Sequence, residues 1–315
     1  GSSIKPFVVA AGLKTGRFHS DTLIETGPGT LRVGIKTVKD KHNLGTIDVR
    51  TVLEKSSNVG IVKIALTLKP QEMWSMLRDL GFGAVTGSGF PGESAGILTG
   101  YEHWRSIGQA TMSYGYGLSV TPLQLAQAYA VLGAGGMRRP VSLRRVDVPP
   151  EGERIMDEAV ARELVQMMES VVSEAGTARR AAVMGYRVSG KTGTSWKAAD
   201  GGYNSTKYMA VFGGVVPASN PRLAAVVIID EPCACSPLPR TTCSACLPRR
   251  SCRRRIRGER AMNALGKTHQ SSGYNMTLGR LLEGLDVAAP HGLQVTDLVQ
   301  DSRAATPGCV FLACP

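Results

Sequence analysis

Apolar residues recur at helical spacing through most of the first 180 residues, then give way to runs typical of strands. Pro6 to Gly16 is a short apolar helix stopped by glycine, with Ser2 at its N-terminal edge. Residues 17–50 read as small strands and loops with charged turns such as Lys39-Asp40-Lys41. Val52 to Lys55 is helical and enters Ser56-Ser57-Asn58, after which Val59 to Leu68 resumes a helix. Gln71 to Leu80 is amphipathic and ends at Gly81. Thr121 caps a further helix with Pro122 at its first position, and its alanines suit a buried central role. Met156 to Ala175 places Val160, Leu164, Val165, Met168 and Val172 on one face. Two strands follow, from Lys207 to Val216 and from Arg222 to Asp230, joined by a Pro-rich turn. Helices followed by adjacent antiparallel strands predict an α+β fold with one sheet covered by helices.

Composition adds one boundary. The chain of 315 residues is 43% hydrophobic and 20% charged, enough to bury a large core. No run of about 18 apolar residues is present. Charge and cysteine are uneven. Residues 1–232 carry a net charge of +6, residues 233–260 carry +7 and the remainder −1, while all seven cysteines lie after position 232. The basic balance therefore describes the tail more than the body, and a cysteine-free body suits an oxidising compartment.

Three short motifs carry the candidate chemistry. Ser2-Ser3-Ile4-Lys5 sets a hydroxyl and an amine three residues apart, one helix face, at a helix start that favours developing negative charge. Taken alone, it reads far more readily as a capping serine with a solvated lysine, because capping serines are so common. Ser56 and Asn58 sit two apart on a turn and can point the same way, one to relay a proton and one to bind an amide. Lys191-Thr192-Gly193-Thr194 closes a strand-like stretch with a cation, a hydroxyl and a glycine where a substrate backbone could lie alongside. The order Ser-x-x-Lys, Ser-x-Asn, Lys-Thr-Gly across domain-sized gaps is far more specific than any one of them.

With Tyr114-Gly115-Tyr116-Gly117 and Thr121-Pro122-Leu123-Gln124, these motifs make residues 1–232 resemble the transpeptidase domain of class B penicillin-binding proteins, the division-specific peptidoglycan transpeptidases in particular. The resemblance implies the fold shared by penicillin-binding proteins and serine β-lactamases, incomplete here at both ends. It implies a D,D-transpeptidase in which Ser2, activated by Lys5, attacks the penultimate D-alanine carbonyl of a stem peptide. Ser56 and Asn58 would serve proton relay and amide binding. Lys191, Thr192, Gly193 and Thr194 would hold the substrate carboxylate, with backbone N–H groups of Ser2 and Thr194 as oxyanion hole. β-Lactams would acylate the same serine. Stem peptides, β-lactams and division-complex membrane proteins are the implied partners, with no nucleic acid, metal or cofactor, and the implied location is the periplasmic face of the inner membrane. A serine β-lactamase and a non-catalytic β-lactam sensor share these motifs. The 132 residues between Asn58 and Lys191 hold no Glu-x-x-x-Asn loop of the class A β-lactamase kind.

After Pro232 the resemblance fails. Residues 233–260 are rich in Cys and Arg, and a zinc site at Cys243-x-x-Cys246 is disfavoured by irregular spacing and the lack of a His partner. A segment read out of frame fits better. A one-base shift lets Arg240-Thr241-Thr242 become Tyr-Tyr and Ala245 to Pro248 become Val-Ser-Ala-Pro, as the family would have there. Residues 261–315 are similar, through Asp301-Ser302-Arg303 and Pro307-Gly308-Cys309-Val310-Phe311, to the N-terminal domain of the Mur ligase that adds the third stem-peptide residue. The anchor, any pedestal domain, the first part of the transpeptidase fold and its last strand and helix are expected to be missing. Poor stability and weak or absent activity are expected of the chain as it stands.

Overall fold

The computed structural model describes residues 1–143, 146–148, 150–199 and 202–232, with short strands at Met276–Thr277, Gln294–Val295 and Val310–Ala313. Seven helices appear in this part: α1 (Lys5–Lys14), α2 (Val49–Glu54), α3 (Asn58–Thr67), α4 (Pro70–Asp79), α5 (Ser106–Ser113), α6 (Pro122–Gly133) and α7 (Glu158–Val172). A 3-10 turn, Ser2–Ile4, runs straight into α1.

Short strands β1 (Leu23–Glu25) and β4 (Thr46–Asp48) pair around the hairpin β2 (Thr30–Val33) and β3 (Lys36–Lys39). Two further small pairs are β5 (Ile97–Leu98) with β6 (Leu118–Ser119), and β7 (Met137–Arg138) with β8 (Glu153–Arg154). The main sheet is antiparallel and contains β9 (Ser189–Ala199), β10 (Gly202–Val216) and β11 (Leu223–Asp230). After β12 (Met276–Thr277) and β13 (Gln294–Val295), which pair with each other, β14 (Val310–Ala313) joins the β11 edge, in the order β14-β11-β10-β9. β9 is thus the outer strand on the other side.

The helices form because their apolar stripes have somewhere to go. α1 has no polar stripe, and it is accordingly enclosed on all sides, with Phe7, Val8 and Ala10 fully buried. Phe7 meets the Tyr129 ring edge-on at 5.2 Å and the Phe82 ring at 5.6 Å, which locks α1 to α6 and to the end of α4. Truncating a ring in such a place costs about 3–5 kcal/mol. α7 turns Leu164, Val165, Met168 and Val172 inward, as its periodicity predicts, and packs on β9, with α6 covering β10 and β11. The result is the predicted α+β arrangement, one sheet under helices.

Chain chemistry sets the ends of these helices. Thr121 accepts from the Gln124 N–H at 3.1 Å while the Gln124 side chain accepts from the Thr121 N–H at 2.8 Å, a reciprocal cap with Pro122 inside it. Asp48 caps α2 through the Thr51 N–H at 2.7 Å. α7 is shorter than its apolar pattern, beginning after Asp157 and ending at Val172. The chain there folds back, so that the Ala178 N–H reaches the Val171 carbonyl at 2.8 Å. The Cys/Arg-rich stretch, the Cys243/Cys246 pair and most of residues 261–315 lie outside the described residues.

Candidate active site

The first, second and third motifs meet where the 3-10 turn, the α2–α3 junction and β9 come together. Ser2 lies half-buried in the turn, and Lys5 opens α1 with its side chain fully enclosed. The Lys5 Nζ lies against one turn only. It donates to the Ser56 carbonyl at 2.6 Å, Ser56 Oγ at 3.2 Å, the Ser57 carbonyl at 3.2 Å and Asn58 Oδ1 at 2.8 Å. An ammonium has three N–H groups, so these four acceptors share them. Among the described residues no hydrogen bond involves the Ser2 hydroxyl.

That turn is built unusually. The Ser57 N–H returns to the Val52 carbonyl at 3.0 Å and the Ser56 N–H to the Leu53 carbonyl at 3.2 Å, the bonding of a Schellman helix end. The left-handed position of such an end normally holds glycine, yet here it holds Ser56, at φ 58°. The conformation aims the Ser56 oxygen at Lys5. Ser57, one residue on, caps α3 through the Gly60 N–H at 2.8 Å.

Asp40, at the end of the β2–β3 hairpin, holds the same junction from outside. Its carboxylate accepts from Ser57 Oγ at 2.6 Å, the Asn58 N–H at 2.5 Å and the Val59 N–H at 3.0 Å. Asn58 Nδ2 also donates to the Lys39 carbonyl at 3.1 Å, so both ends of the Asn58 amide are committed. The sequence shows Asp40 only as part of a charged turn, 17 to 19 residues from the groups it binds. No periodicity connects them.

Lys191 is fully buried at the start of the third motif, its Nζ donating to the Thr192 carbonyl at 3.1 Å. Burial pulls its amine down to about 7. Burial, and then the Lys191 charge, pull the Lys5 amine well below the usual lysine range, against the opposing effect of Asp40. Two buried amines that repel each other disfavour the doubly charged state, so a neutral amine, the form that takes a proton, is accessible near neutral pH.

Gly193 has a packing reason. A Cβ there would lie 2.8 Å from the Ser3 backbone nitrogen and 3.3 Å from that of Ser2, so the glycine lets β9 press against the Ser2–Ile4 turn. Its neighbour Thr194 lies against Gly1, where a Cβ would meet the Thr194 carbonyl at 2.9 Å and its nitrogen at 3.3 Å. Gly115, at φ 91°, lets the Tyr114 to Gly117 stretch touch Gly1 as well. From the core side, Tyr129 donates to the Ser3 carbonyl at 2.9 Å. Its role was hidden in the sequence because α6 is buried along nearly its whole length, so no face marks itself as facing the site. Thr192 Oγ1 is paired with Thr177 Oγ1 at 2.8 Å, another partner that no motif announces.

Two buried, depressed amines and a fixed amide side chain, gathered where the Ser2–Ile4 turn meets the edge strand β9, form an arrangement suited to acyl transfer. Residues 1–237 match the family described as penicillin binding protein transpeptidase domain. The chain belongs to that family. It is 44% identical over 234 residues to the probable peptidoglycan D,D-transpeptidase PenA of Neisseria meningitidis, covering 74% of this chain and 40% of that protein. It is 41% identical over 232 residues to the peptidoglycan D,D-transpeptidase FtsI of Escherichia coli, covering 74% of this chain and 39% of the relative. The chain therefore spans about 40% of the length of these relatives. Among solved structures, the transpeptidase domain of Burkholderia pseudomallei penicillin-binding protein 3 superposes with a TM-score of 0.71 at 46% identity, covering 74% of this chain and 71% of that one. A structure from Burkholderia ambifaria, titled as a peptidoglycan glycosyltransferase, gives 0.69 at 43% identity, covering 74% and 72%. The fold expected from the motif set is the fold of a penicillin-binding protein transpeptidase domain.

Proposed function

We propose that the body of this chain is the catalytic part of a peptidoglycan D,D-transpeptidase of septal wall synthesis, working through an acyl-enzyme on Ser2. The single observation that carries the reading is the Lys5 amine, fully buried, depressed by that burial and then by the Lys191 charge, and bonded to Ser56 and Asn58 within one helical turn of Ser2. In the first step the Ser2 oxygen bonds to the penultimate D-alanine carbonyl carbon while its proton passes to neutral Lys5. The carbonyl oxygen takes the displaced electron pair beside the backbone N–H groups of Ser2 and Thr194. Collapse breaks the peptide C–N bond, and the leaving D-alanine nitrogen receives a proton through the Lys5 and Ser56 pair. The amine of a second stem peptide then attacks the ester, loses a proton to the same pair and returns Ser2 as the alcohol. Lys191, Thr192 and Thr194 face the substrate carboxylate, and Asn58 faces its amide.

A β-lactam would open on Ser2 in the same way. Stem peptides are the substrates of this reading, β-lactams its inhibitors and division-complex membrane proteins its partners at the periplasmic face of the inner membrane. Among the described residues no helix is long and apolar enough to cross a membrane. Incubation with a fluorescent penicillin, followed by intact-mass measurement over hours, tests the reading. One adduct on Ser2, formed slowly by this chain, absent from Ser2→Ala and slow to hydrolyse, is expected. Rapid loss of the adduct would indicate a β-lactamase, a stable adduct without turnover of a stem peptide or thioester would indicate a sensor, and labelling that survives Ser2→Ala would overturn it.

A further inference from the structure

The turn that follows α7, residues 173–178, touches two of the three motifs at once. On one side its Ala175 carbonyl accepts from Lys55 Nζ at 2.8 Å, and Lys55 is the residue directly before Ser56. On the other side its Thr177 hydroxyl meets the Thr192 hydroxyl at 2.8 Å. The turn itself is rigidly placed by its backbone. Ala178 is buried and its N–H bonds to the Val171 carbonyl at 2.8 Å, and the Gly176 N–H bonds to the Ser173 carbonyl at 3.0 Å. Gly176 is pressed so close to the end of α7 that a Cβ would lie 2.1 Å from the Val171 carbonyl oxygen. Ser189 Oγ, bonded to the Val165 carbonyl at 2.8 Å, fastens the base of β9 to the same helix. The Thr177 side chain is exposed, so its hydroxyl contact, rather than packing, is what it offers.

The direction of the Thr177–Thr192 bond follows from hydrogen counting. Each hydroxyl has one proton to give, and an ionised carboxylate can only accept. If Thr192 gives its proton to Thr177, it has none for a substrate carboxylate. If Thr177 gives its proton to Thr192, the Thr192 proton is left facing the cleft, and its oxygen is polarised by the bond it accepts. Thr177 can then accept from solvent at its exposed side.

We propose that Thr177 is a positioning residue, held in place by Lys55, which donates to Thr192 and so presents the Thr192 proton to the carboxylate of the acyl-donor substrate. Recognition of that carboxylate at the third motif is thereby tied to the second. The inference rests on the transpeptidase reading above.

The second-order rate of Ser2 acylation by benzylpenicillin, and by its methyl ester, separates the inference from its parent. Thr177→Val keeps shape and removes the proton. It is expected to slow acylation by the carboxylate form about tenfold, as loss of a hydrogen bond that supports an ionic one would, and to leave the ester rate unchanged. Thr177→Ser restores the carboxylate rate. Lys55→Met gives a smaller loss, about threefold, with the same selectivity for the carboxylate. Equal slowing of both ligands by Thr177→Val would reduce Thr177 to a structural part and overturn the inference, as would no slowing at all. If the unsubstituted chain takes no penicillin on Ser2, the transpeptidase reading fails and this one fails with it. If it is acylated and Thr177→Val matches it on both ligands, only this one fails.

Discussion

Lys5 Nζ stands 2.8 Å from Asn58 Oδ1, and through that contact the first motif is read by the second rather than by the serine three residues before it. Asn58 can offer its oxygen because its nitrogen is already committed to the Lys39 carbonyl and its N–H to Asp40. The base candidate is oriented by a chain of fixed groups that ends in a surface hairpin.

Asp40→Asn tests that chain. The carboxylate accepts from three donors at a helix start, so its loss is expected to cost about 1–3 kcal/mol. It also removes a charge that raises the Lys5 pKa. The Lys5 amine then falls further, and the acid limb of the pH profile for Ser2 acylation moves to lower pH. Thermal melts and acylation rates across pH measure the two effects separately, and an unchanged acid limb would rule out the electrostatic part.

The buried amines set a pH dependence of stability. Lys191 is drawn from 10.5 to about 7 in the folded chain, so between these values the unfolded chain binds the extra proton. Stability accordingly rises with pH from about 7 towards 10.5, by up to about 1.4 kcal/mol per pH unit, and is least where both amines must be charged. Denaturant melts at a series of pH values should show this rise, and Lys191→Met should flatten it. A wild-type curve that falls across that window would contradict the burial of Lys191.

Gly193→Ala should leave the sheet folded but move the Ser2–Ile4 turn. The added methyl meets the Ser3 nitrogen, a backbone atom that cannot swing aside. A shift of about 1 Å in a reacting group costs on the order of a hundredfold in rate. Acylation slowed to that degree, together with a loss of about 1–3 kcal/mol of stability from the overpacking, is the expected pair of results.

Tyr129→Phe removes only the hydroxyl that reaches the Ser3 carbonyl, leaving the ring against Phe7. A loss of about 1–3 kcal/mol is expected, because the buried carbonyl is left without that donor. Calorimetry reads it directly, and a change below a few tenths of a kcal/mol would show that Ser3 finds another donor.

Much of this architecture was legible along the chain. Thr121-Pro122 announced the start of α6, the Ser56-Ser57-Asn58 turn separated α2 from α3, and the two runs on either side of the Pro-rich turn after Val216 announced β10 and β11. The three motifs pointed to one site because each is a local arrangement, fixed by residues two or three apart. Asp40, Tyr129 and Thr177 escaped notice because their contacts join residues far apart in the sequence. A carboxylate in a charged turn, a tyrosine in a buried helix and a threonine after a helix end carry no local sign of what they touch. The end of α7 escaped for a related reason. Ala175 continues the apolar pattern, yet the chain leaves the helix at Ser173 to bring Thr177 to Thr192.

Ser56 occupies a left-handed position that glycine would fill without strain, and its side chain is what makes the position worth holding. Glycine there should make a sturdier protein by up to about 1 kcal/mol and, on the proposed function, a poorer catalyst, since the oxygen bonded to Lys5 would go with the strain. Durability and turnover therefore pull in opposite directions at this single residue. Any effort to toughen the chain by consensus-style loop repair would be working against its own purpose if it began at the end of α2.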